Sequence, residues 1–329
     1  MELNLSGQFF GEKSDEDALQ NEVQKMIVIG GGPAGLSAAL YGARAALEPL
    51  VFTGPDMGGQ AASTTTIENY PGFPEGVGGA EISKLFHKQA ERFGAKFMYV
   101  GVTAVDLSRR PFTVTTEDGL FQTETMILAT GASPNHLHVP GEDRLMNNGV
   151  SYCATCDGWF FQDKHVVVVG GGDSAFEEGI LLTHYASQVD IVHRRDAFRA
   201  GAILLNRAQK NEKIQFVYSS VVEEIIGEEK VEAVRLRNVK TGEKTVHPAD
   251  GVFIFIGHTP NTQLFAGQVE MDSQGYVVVD KLMQTSVPGV FAAGEAADPH
   301  FRQVATSVGM GAGAAIQATR FLESQAIGD

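Results

Sequence analysis

Apolar positions along this chain come in short dense runs rather than in long stripes. MIVIG at 26–30, PLVF at 49–52, TMILATG at 125–131, HVVVVG at 165–170, GVFIFIG at 251–257 and GVFAAG at 289–294 are each bounded by Gly, Pro or polar residues. A run of this length with no alternation reads as a strand buried on both faces, which is the mark of a parallel sheet. Between two of these runs lies an alanine-rich segment, GLSAALYGARAAL, and after another lies DSAFEEGILLTHYA. Strand, glycine-rich turn, helix and second strand therefore follow one another twice, as two βαβ units.

The two units lie in matching contexts, with Gly30 and Gly170 at equivalent places. A second echo links TMILATGASPN at 125–135 with GVFIFIGHTPN at 251–261, each an apolar strand followed by Gly, a short turn and Pro-Asn. These are the expected exit from one domain and the return to it. The predicted fold is α/β, with two Rossmann-like three-layer dinucleotide-binding domains, the second inserted into the first. The first domain takes residues 25–131 and 262–329, and the insert takes 132–261. Residues 1–24 are charged, lack a sustained apolar period and read as a loosely packed extension.

Composition narrows the class. The chain has 329 residues, 43% of them hydrophobic, enough for two cores. It has two cysteines, no leader-like N-terminus and no apolar run of about 18 residues, so a cytoplasmic, non-membrane protein is expected. A formal net charge of −15 argues against a nucleic-acid surface.

Both glycine turns carry a phosphate-binding pattern. Gly30, Gly32 and Gly35 form G-x-G-x-x-G, and Gly170, Gly172 and Ala175 form G-x-G-x-x-A. The first glycine permits the tight turn, the second lets a pyrophosphate reach the helix N-terminus, and the third position must be small for the helix to pack on the strand. The strand after the first pattern ends in Thr53 and Gly54, with no acid to hold a ribose 2′-hydroxyl. The strand after the second runs into His193, Arg194, Arg195 and Arg199. Guanidinium forks there suit a 2′-phosphate, hence NADPH rather than NADH.

The cysteines stand together in SYCATCDGWF as Cys153 and Cys156. A structural zinc site needs about four protein ligands. No third cysteine exists, and His136, His138 and His165 form no paired-histidine spacing, so no metal is assigned. A bridge over two intervening residues closes too small a loop to stabilise the fold much. Redox exchange is what remains. Asp157, beside Cys156, is then the candidate proton donor.

CATCD followed by GGGDSAFEE and HRRDAFR resembles the low-molecular-weight, bacterial-type thioredoxin reductases, members of the pyridine nucleotide-disulfide oxidoreductases. GGQ at 58–60, ENYPG at 68–72, ATGA at 129–132, GHTPN at 257–261 and RQVATS at 302–307 extend the resemblance from about residue 25 to about residue 325. It implies FAD in the split domain, NADPH in the insert, a homodimer, and thioredoxin as protein substrate. Carried over position by position, flavin contacts fall on Gly30, Gly32, Pro33, Ala34, Gly35, Thr53, Gly59, Gln60, Thr65, Asn69, Val102, Thr130 and Gly131. The returning segment adds Glu295, Arg302, Gln303 and Val304. NADPH contacts fall on Gly172, Asp173, Ser174, His193, Arg194, Arg195, Arg199 and Ile256. One position departs from the pattern, since Glu295 stands where the family usually has Asp.

The resemblance further implies that NADPH reduces the flavin, which reduces the Cys153–Cys156 disulfide. Cys156 would face the flavin and Cys153 would attack the partner. The insert would turn on hinges near 131–135 and 257–261. Trp159 and Phe160 are candidates for a docking surface or for core. The competing readings are a flavoprotein of a peroxide-reducing system, a flavin thiol oxidase and a redox-sensing module without turnover.

Overall fold

The computed structural model describes residues 19–55 and 57–326. The chain divides into two compact units, residues 1–133 with 260–329, and residues 134–259.

In the split unit, β1 (Val23–Ile29) is followed by α1 (Pro33–Arg44) and β2 (Leu50–Phe52), and α2 (Gly79–Arg92) leads to β3 (Lys96–Met98). A meander follows of β4 (Val102–Asp106), β5 (Phe112–Thr116) and β6 (Leu120–Leu128). Strands β1, β2, β3 and β6 run parallel in the order β3-β2-β1-β6, while β5 lies antiparallel to β6 and β4 antiparallel to β5. The nine-residue β6 is long enough to share one edge. Its first half pairs with β5 and its last three residues pair with β17 (Val290–Ala292), contributed by the end of the chain. Register sets Ile29, Phe52, Leu128 and Ala292 level, so the turns after four parallel strands leave the same edge.

Side-chain alternation divides this sheet into two apolar faces. Met26 and Val28 face α1 and the last helix, α3 (Val304–Ala326), with Ala314, Ala315 and Ala318 in the same cluster. Ile27 and Ile29 point the other way, toward Phe112, Val114 and Phe121 of the meander. The small residues of α3 serve close backbone packing, since a side chain on Gly311 would overlap the carbonyl of Ala34.

The second unit is contiguous. The connecting strand β7 (Ala132–Pro134) precedes it, and within it β8 (Val150–Ser151), β9 (His165–Gly170), β10 (Gln188–Val192), β11 (Ile214–Val217) and β15 (Gly251–Phe255) make a parallel sheet in the order β11-β10-β9-β15-β8. The helices Asp173–Leu182 and Ala202–Gln209 cover one face through Ala175, Phe176, Leu182 and Ala208. An antiparallel sheet of β12 (Ser220–Ile226), β13 (Ala233–Asn238) and β14 (Lys244–Pro248) covers the other, where Val222, Ile225, Val234 and Leu236 meet Val167, Val169, Val192 and Ile254. This is a three-layer unit. The return strand β16 (His258–Pro260) pairs with β7.

The extension expected over residues 1–24 needs correction at its end, while residues 1–18 lie outside the described residues. Strand β1 already begins at Val23, where Val23 and Gln24 pair with Gln122 and Thr123. Leu19 is buried among Ile27, Phe112 and Phe121. A lone leucine in an acidic segment gives no period, yet the cluster beneath the meander has room for it. Leu19→Ala is expected to cost about 2–3 kcal/mol, the lower part of the range for a buried leucine. Denaturant unfolding reads this directly, and an unchanged midpoint would return Leu19 to a loose extension.

Candidate functional site

The small residues that bracket each fingerprint, Gly30 with Gly35 and Gly170 with Ala175, do different work from the glycine between them. Gly30 has φ +124°, and a Cβ there would overlap the Ala129 carbonyl; one on Gly35 would overlap the Gly30 carbonyl. These positions let β1, β6 and α1 close on one another. A Cβ on Gly32 would meet nothing within 4 Å. Its lack of a side chain leaves an open cradle at the start of α1, where Pro33 takes the first helical position and unpaired backbone N–H groups face outward. The insert repeats this. A Cβ on Gly170 would press on Ala175 and on the Phe255 carbonyl, both at 2.6 Å, whereas Gly172 is open.

Around the first cradle the split unit brings together most of its candidates. Gly31 accepts a backbone hydrogen bond from Gly58 at 2.9 Å, which sets Gly59 and Gln60 beside Gly32. Thr53 is buried at the end of β2 and donates to the Gly54 carbonyl at 2.7 Å. Asn69 donates through Nδ2 to Oε1 of Gln303 at 3.0 Å, joining two candidates far apart in sequence. Ala34 lies against Gly294, next to Glu295, and Val304 packs on the small cluster of Ala61, Ile67, Val77 and Ile82. Thr65 is exposed on the loop that this cluster anchors. Thr130 follows β6 beside Gly131, whose φ is +71°, and its Oγ1 is buried with no protein partner. Val102 lies off these turns, on the first residue of β4 opposite Thr116.

Glu295 sits half-buried, and burial pushes its carboxyl up to about 7 against the downward pull of the Arg302 charge, with Asp298 adding to the rise. Asp298 was missed in the sequence. Its Oδ1 accepts from the backbone N–H groups of His300 at 2.8 Å and Phe301 at 3.0 Å, and so fixes the turn that delivers Arg302 and Gln303. The Asp-Pro dipeptide at 298–299 was the available signal.

In the insert, the candidates converge on the edge where β9, β10 and β15 end. Asp173 accepts the Gly201 N–H at 2.7 Å and Gly171 accepts the Arg199 N–H at 2.8 Å, folding the arginine loop back over the glycine turn. Arg194, Arg195 and Arg199 are exposed, and none forms an ion pair among the described residues. They surround His193, whose Nε2 is buried without a hydrogen-bond partner. Burial, then the Arg195, Arg194 and Arg199 charges, hold its imidazole below the usual range, so it stays neutral in a positive setting. Ser174 is exposed at the helix start, and Ile256 is exposed just past β15.

Cys153 and Cys156 are joined as a disulfide, Cα atoms 5.3 Å apart, in the loop after β8. Strand β8 pairs with β15 through Val150 and Ser151, so this loop leaves the same edge as the arginine loop's strand. The Cys156 N–H donates to Cys153 Sγ at 3.1 Å. Asp157 is raised by burial, against a hydrogen bond from Ser151 Oγ to its Oδ2 at 2.6 Å. Ser151 Oγ also accepts from the Cys153 N–H at 3.0 Å. The same loop is anchored by Tyr152, whose hydroxyl donates to the buried Glu142 at 2.7 Å and lies 2.9 Å from His136 Nδ1. Neither Ser151 nor Glu142 carried any motif.

The residues fit two dinucleotides. An open glycine cradle with an orphaned Thr130 hydroxyl suits FAD, and an open cradle flanked by unpaired arginines and an orphaned His193 nitrogen suits a phosphorylated ribose.

Comparison with known proteins follows the same lines. The pyridine nucleotide-disulphide oxidoreductase pattern matches residues 24–311. A thioredoxin reductase of Mycolicibacterium smegmatis is 49% identical over 304 residues, covering 92% of this chain and 98% of the relative. A Mycobacterium leprae protein named bifunctional thioredoxin reductase/thioredoxin is 47% identical over 92% of this chain and 67% of its own length. The crystal structure of thioredoxin reductase from Streptococcus pyogenes superposes with a TM-score of 0.88 at 43% identity, covering 93% of this chain and all of that one. The two fingerprints, the redox pair and this near-full-length similarity together make the chain a member of the pyridine nucleotide-disulphide oxidoreductase family, alongside the thioredoxin reductases of bacterial type.

Proposed function

We propose that this chain reduces the disulfide of a thioredoxin with electrons from NADPH, through FAD and the Cys153–Cys156 disulfide. One observation carries the reading: the disulfide and the unpaired arginines at His193 stand on loops from one edge of the insert's sheet. The split unit, 25–131 with 262–329, is assigned to FAD and the insert, 132–261, to NADPH. The named likeness of the relatives, one of which combines reductase and thioredoxin in a single chain, supports the partner.

Arg194, Arg195 and Arg199 would clamp the 2′-phosphate beside the neutral His193, and Gly172 would admit the pyrophosphate. Gly32 would admit the flavin pyrophosphate, and Thr130, Glu295, Gln303 and Asn69 would offer it polar contacts. Bound flavin supplies a two-electron relay between hydride donor and disulfide. Once the Cys153–Cys156 bond is reduced, the Cys156 N–H stabilises negative charge on Cys153 Sγ, which favours Cys153 as the attacking thiolate. Attack on the partner's disulfide forms a mixed disulfide and releases a partner thiolate. Cys156 then attacks Cys153 Sγ, remaking the enzyme disulfide and releasing the second partner thiolate. Asp157, kept protonated more readily by burial, is the proton donor, and Ser151 orients it.

The exposed Trp159 and Phe160 lie just past the pair and offer an apolar contact to the partner. Turning of the units on the crossings at 131–135 and 257–261 would alternate the pair between flavin and partner; Gly131 and Gly257 both have positive φ there. A homodimer in the cytoplasm completes the proposal. Among the described residues no helix is long and apolar enough to cross a membrane.

In an anaerobic titration NADPH should bleach the flavin absorbance, and oxidised thioredoxin should restore it. Arg194→Ala with Arg195→Ala should raise the KM for NADPH at least 10-fold and leave that for NADH nearly unchanged; bleaching by NADH alone would sink the arginine assignment. Asp157→Asn should lower thioredoxin turnover by about 100-fold, the low end for a lost general acid. Ser151→Ala removes a bond to the charged form, so the Asp157 carboxyl should rise further and carry the alkaline limb of the pH profile upward. A limb that moves down instead would remove Ser151 from this role.

Glu295 gives a stability test. Its folded value of about 7 lies above the ordinary 4.5, so the associated stabilisation is present below about 4.5 and is lost as pH rises through 7. The change is at most about 3 kcal/mol. In flavin-free protein, Glu295→Gln should flatten the fall in unfolding free energy between pH 5 and 8. The same slope in both proteins would show that Glu295 is already ionised across that range.

A further inference from the structure

At the end of β9 opposite its glycine turn, three side chains from three strands of the insert converge on one point. His165 opens β9, Asp190 lies mid-strand in β10, and His247 lies on β14 of the antiparallel sheet. His165 alternates in phase with Val167 and Val169, which face that antiparallel sheet, and Asp190 alternates with Val192 on the same face. The three therefore meet at the rim between the two sheets.

Their geometry is more pointed than an ordinary hydrogen-bonded pair. Asp190 is fully buried, and one carboxylate oxygen, Oδ2, is approached by Nε2 of His165 at 2.8 Å and by Nε2 of His247. The other oxygen, Oδ1, accepts from Gln188 Nε2 at 2.8 Å. No lysine or arginine pairs with Asp190 among the described residues. All three donor atoms lie within 4.8 Å of one another. Ligands about 2.0–2.1 Å from a tetrahedral ion are roughly 3.3 Å apart, so small side-chain adjustments would place one ion among all three.

We propose that His165, Asp190 and His247 bind a divalent transition-metal ion of the zinc class. Two imidazoles and one carboxylate are a donor set that such ions accept, with water at the remaining position. The histidine side chains are 24% and 29% exposed, which leaves that position open to solvent and gives the ion an entry path. Gln188 would hold the carboxylate from behind, as outer partners of metal ligands commonly do. The ion would also neutralise a buried carboxylate whose neighbours are two imidazoles and the Gln188 amide, with no lysine or arginine paired to it among the described residues.

Its role would be to tie the antiparallel sheet to the parallel one. The glycine turn lies at the opposite end of β9, a six-residue strand spanning roughly 17 Å. Occupancy should therefore change stability and leave turnover alone.

The test uses the oxidised holoenzyme after dialysis against a chelator, so that no free thiol competes for metal. Cobalt(II) should bind at one equivalent per chain with ligand-field absorption beyond the flavin bands, zinc should displace it, and zinc should raise the melting temperature. His165→Gln with His247→Gln should weaken cobalt binding at least 10-fold and abolish the thermal shift, with NADPH-dependent turnover unchanged. His247→Gln alone, which alters one partly exposed strand residue, should weaken binding in the same direction should the double variant fold poorly. Absence of stoichiometric cobalt binding in the parent protein, or undiminished affinity in the His247 variant, would overturn the proposal.

Discussion

The structure depends on two places where main chain must touch main chain. At Gly30 and Gly35, and again at Gly170 and Ala175, strand, turn and helix approach so closely that a larger side chain would occupy space already filled by a backbone carbonyl or a neighbouring methyl. That closure brings the first helix of each unit down on its sheet and leaves its N-terminal N–H groups facing an open cradle. The level strand ends then gather the remaining loops at the same edge. Binding geometry is thus in part a by-product of packing, because the close approach at Gly30 and Gly35 is what presents the open Gly32 between them.

The split architecture was legible because its evidence is repeated: two fingerprints and two matching exits at 125–135 and 251–261. A repeat survives the ambiguity that attaches to any single glycine turn. Leu19 was not legible, since one apolar residue among acids has no period, and its partners Phe112 and Phe121 are distant in sequence. Ser151 and Glu142 were hidden for another reason, because each acts through hydrogen bonds to near neighbours in a loop that no motif marks, whereas Asp298 did have a local signal in its Asp-Pro dipeptide. The sequence around the cysteines holds no metal-ligand spacing. His165, Asp190 and His247 share no such spacing, because sheet packing brings them together.

Burial governs the ionisable groups of the candidate site, and it acts on both signs of charge. It raises Asp157 and Glu295 and lowers His193, in each case favouring the neutral form. Neutral groups can donate hydrogen bonds or protons where charged carboxylates could only accept. The fixed positive charge near His193 comes instead from arginines, which cannot be neutralised by burial at ordinary pH. Anion binding and proton transfer are thereby divided between residue types.

The shared edge of β6 has a bearing on how the molecule is made. Its carboxyl half waits for β17, and the apolar face of α1 waits for Ala314, Ala315 and Ala318, all supplied by the final stretch of chain. The insert, by contrast, is complete once residue 259 has been synthesised. On the ribosome the insert is therefore the first unit able to fold, while the split unit holds an unfinished sheet until residues 290–318 have been added.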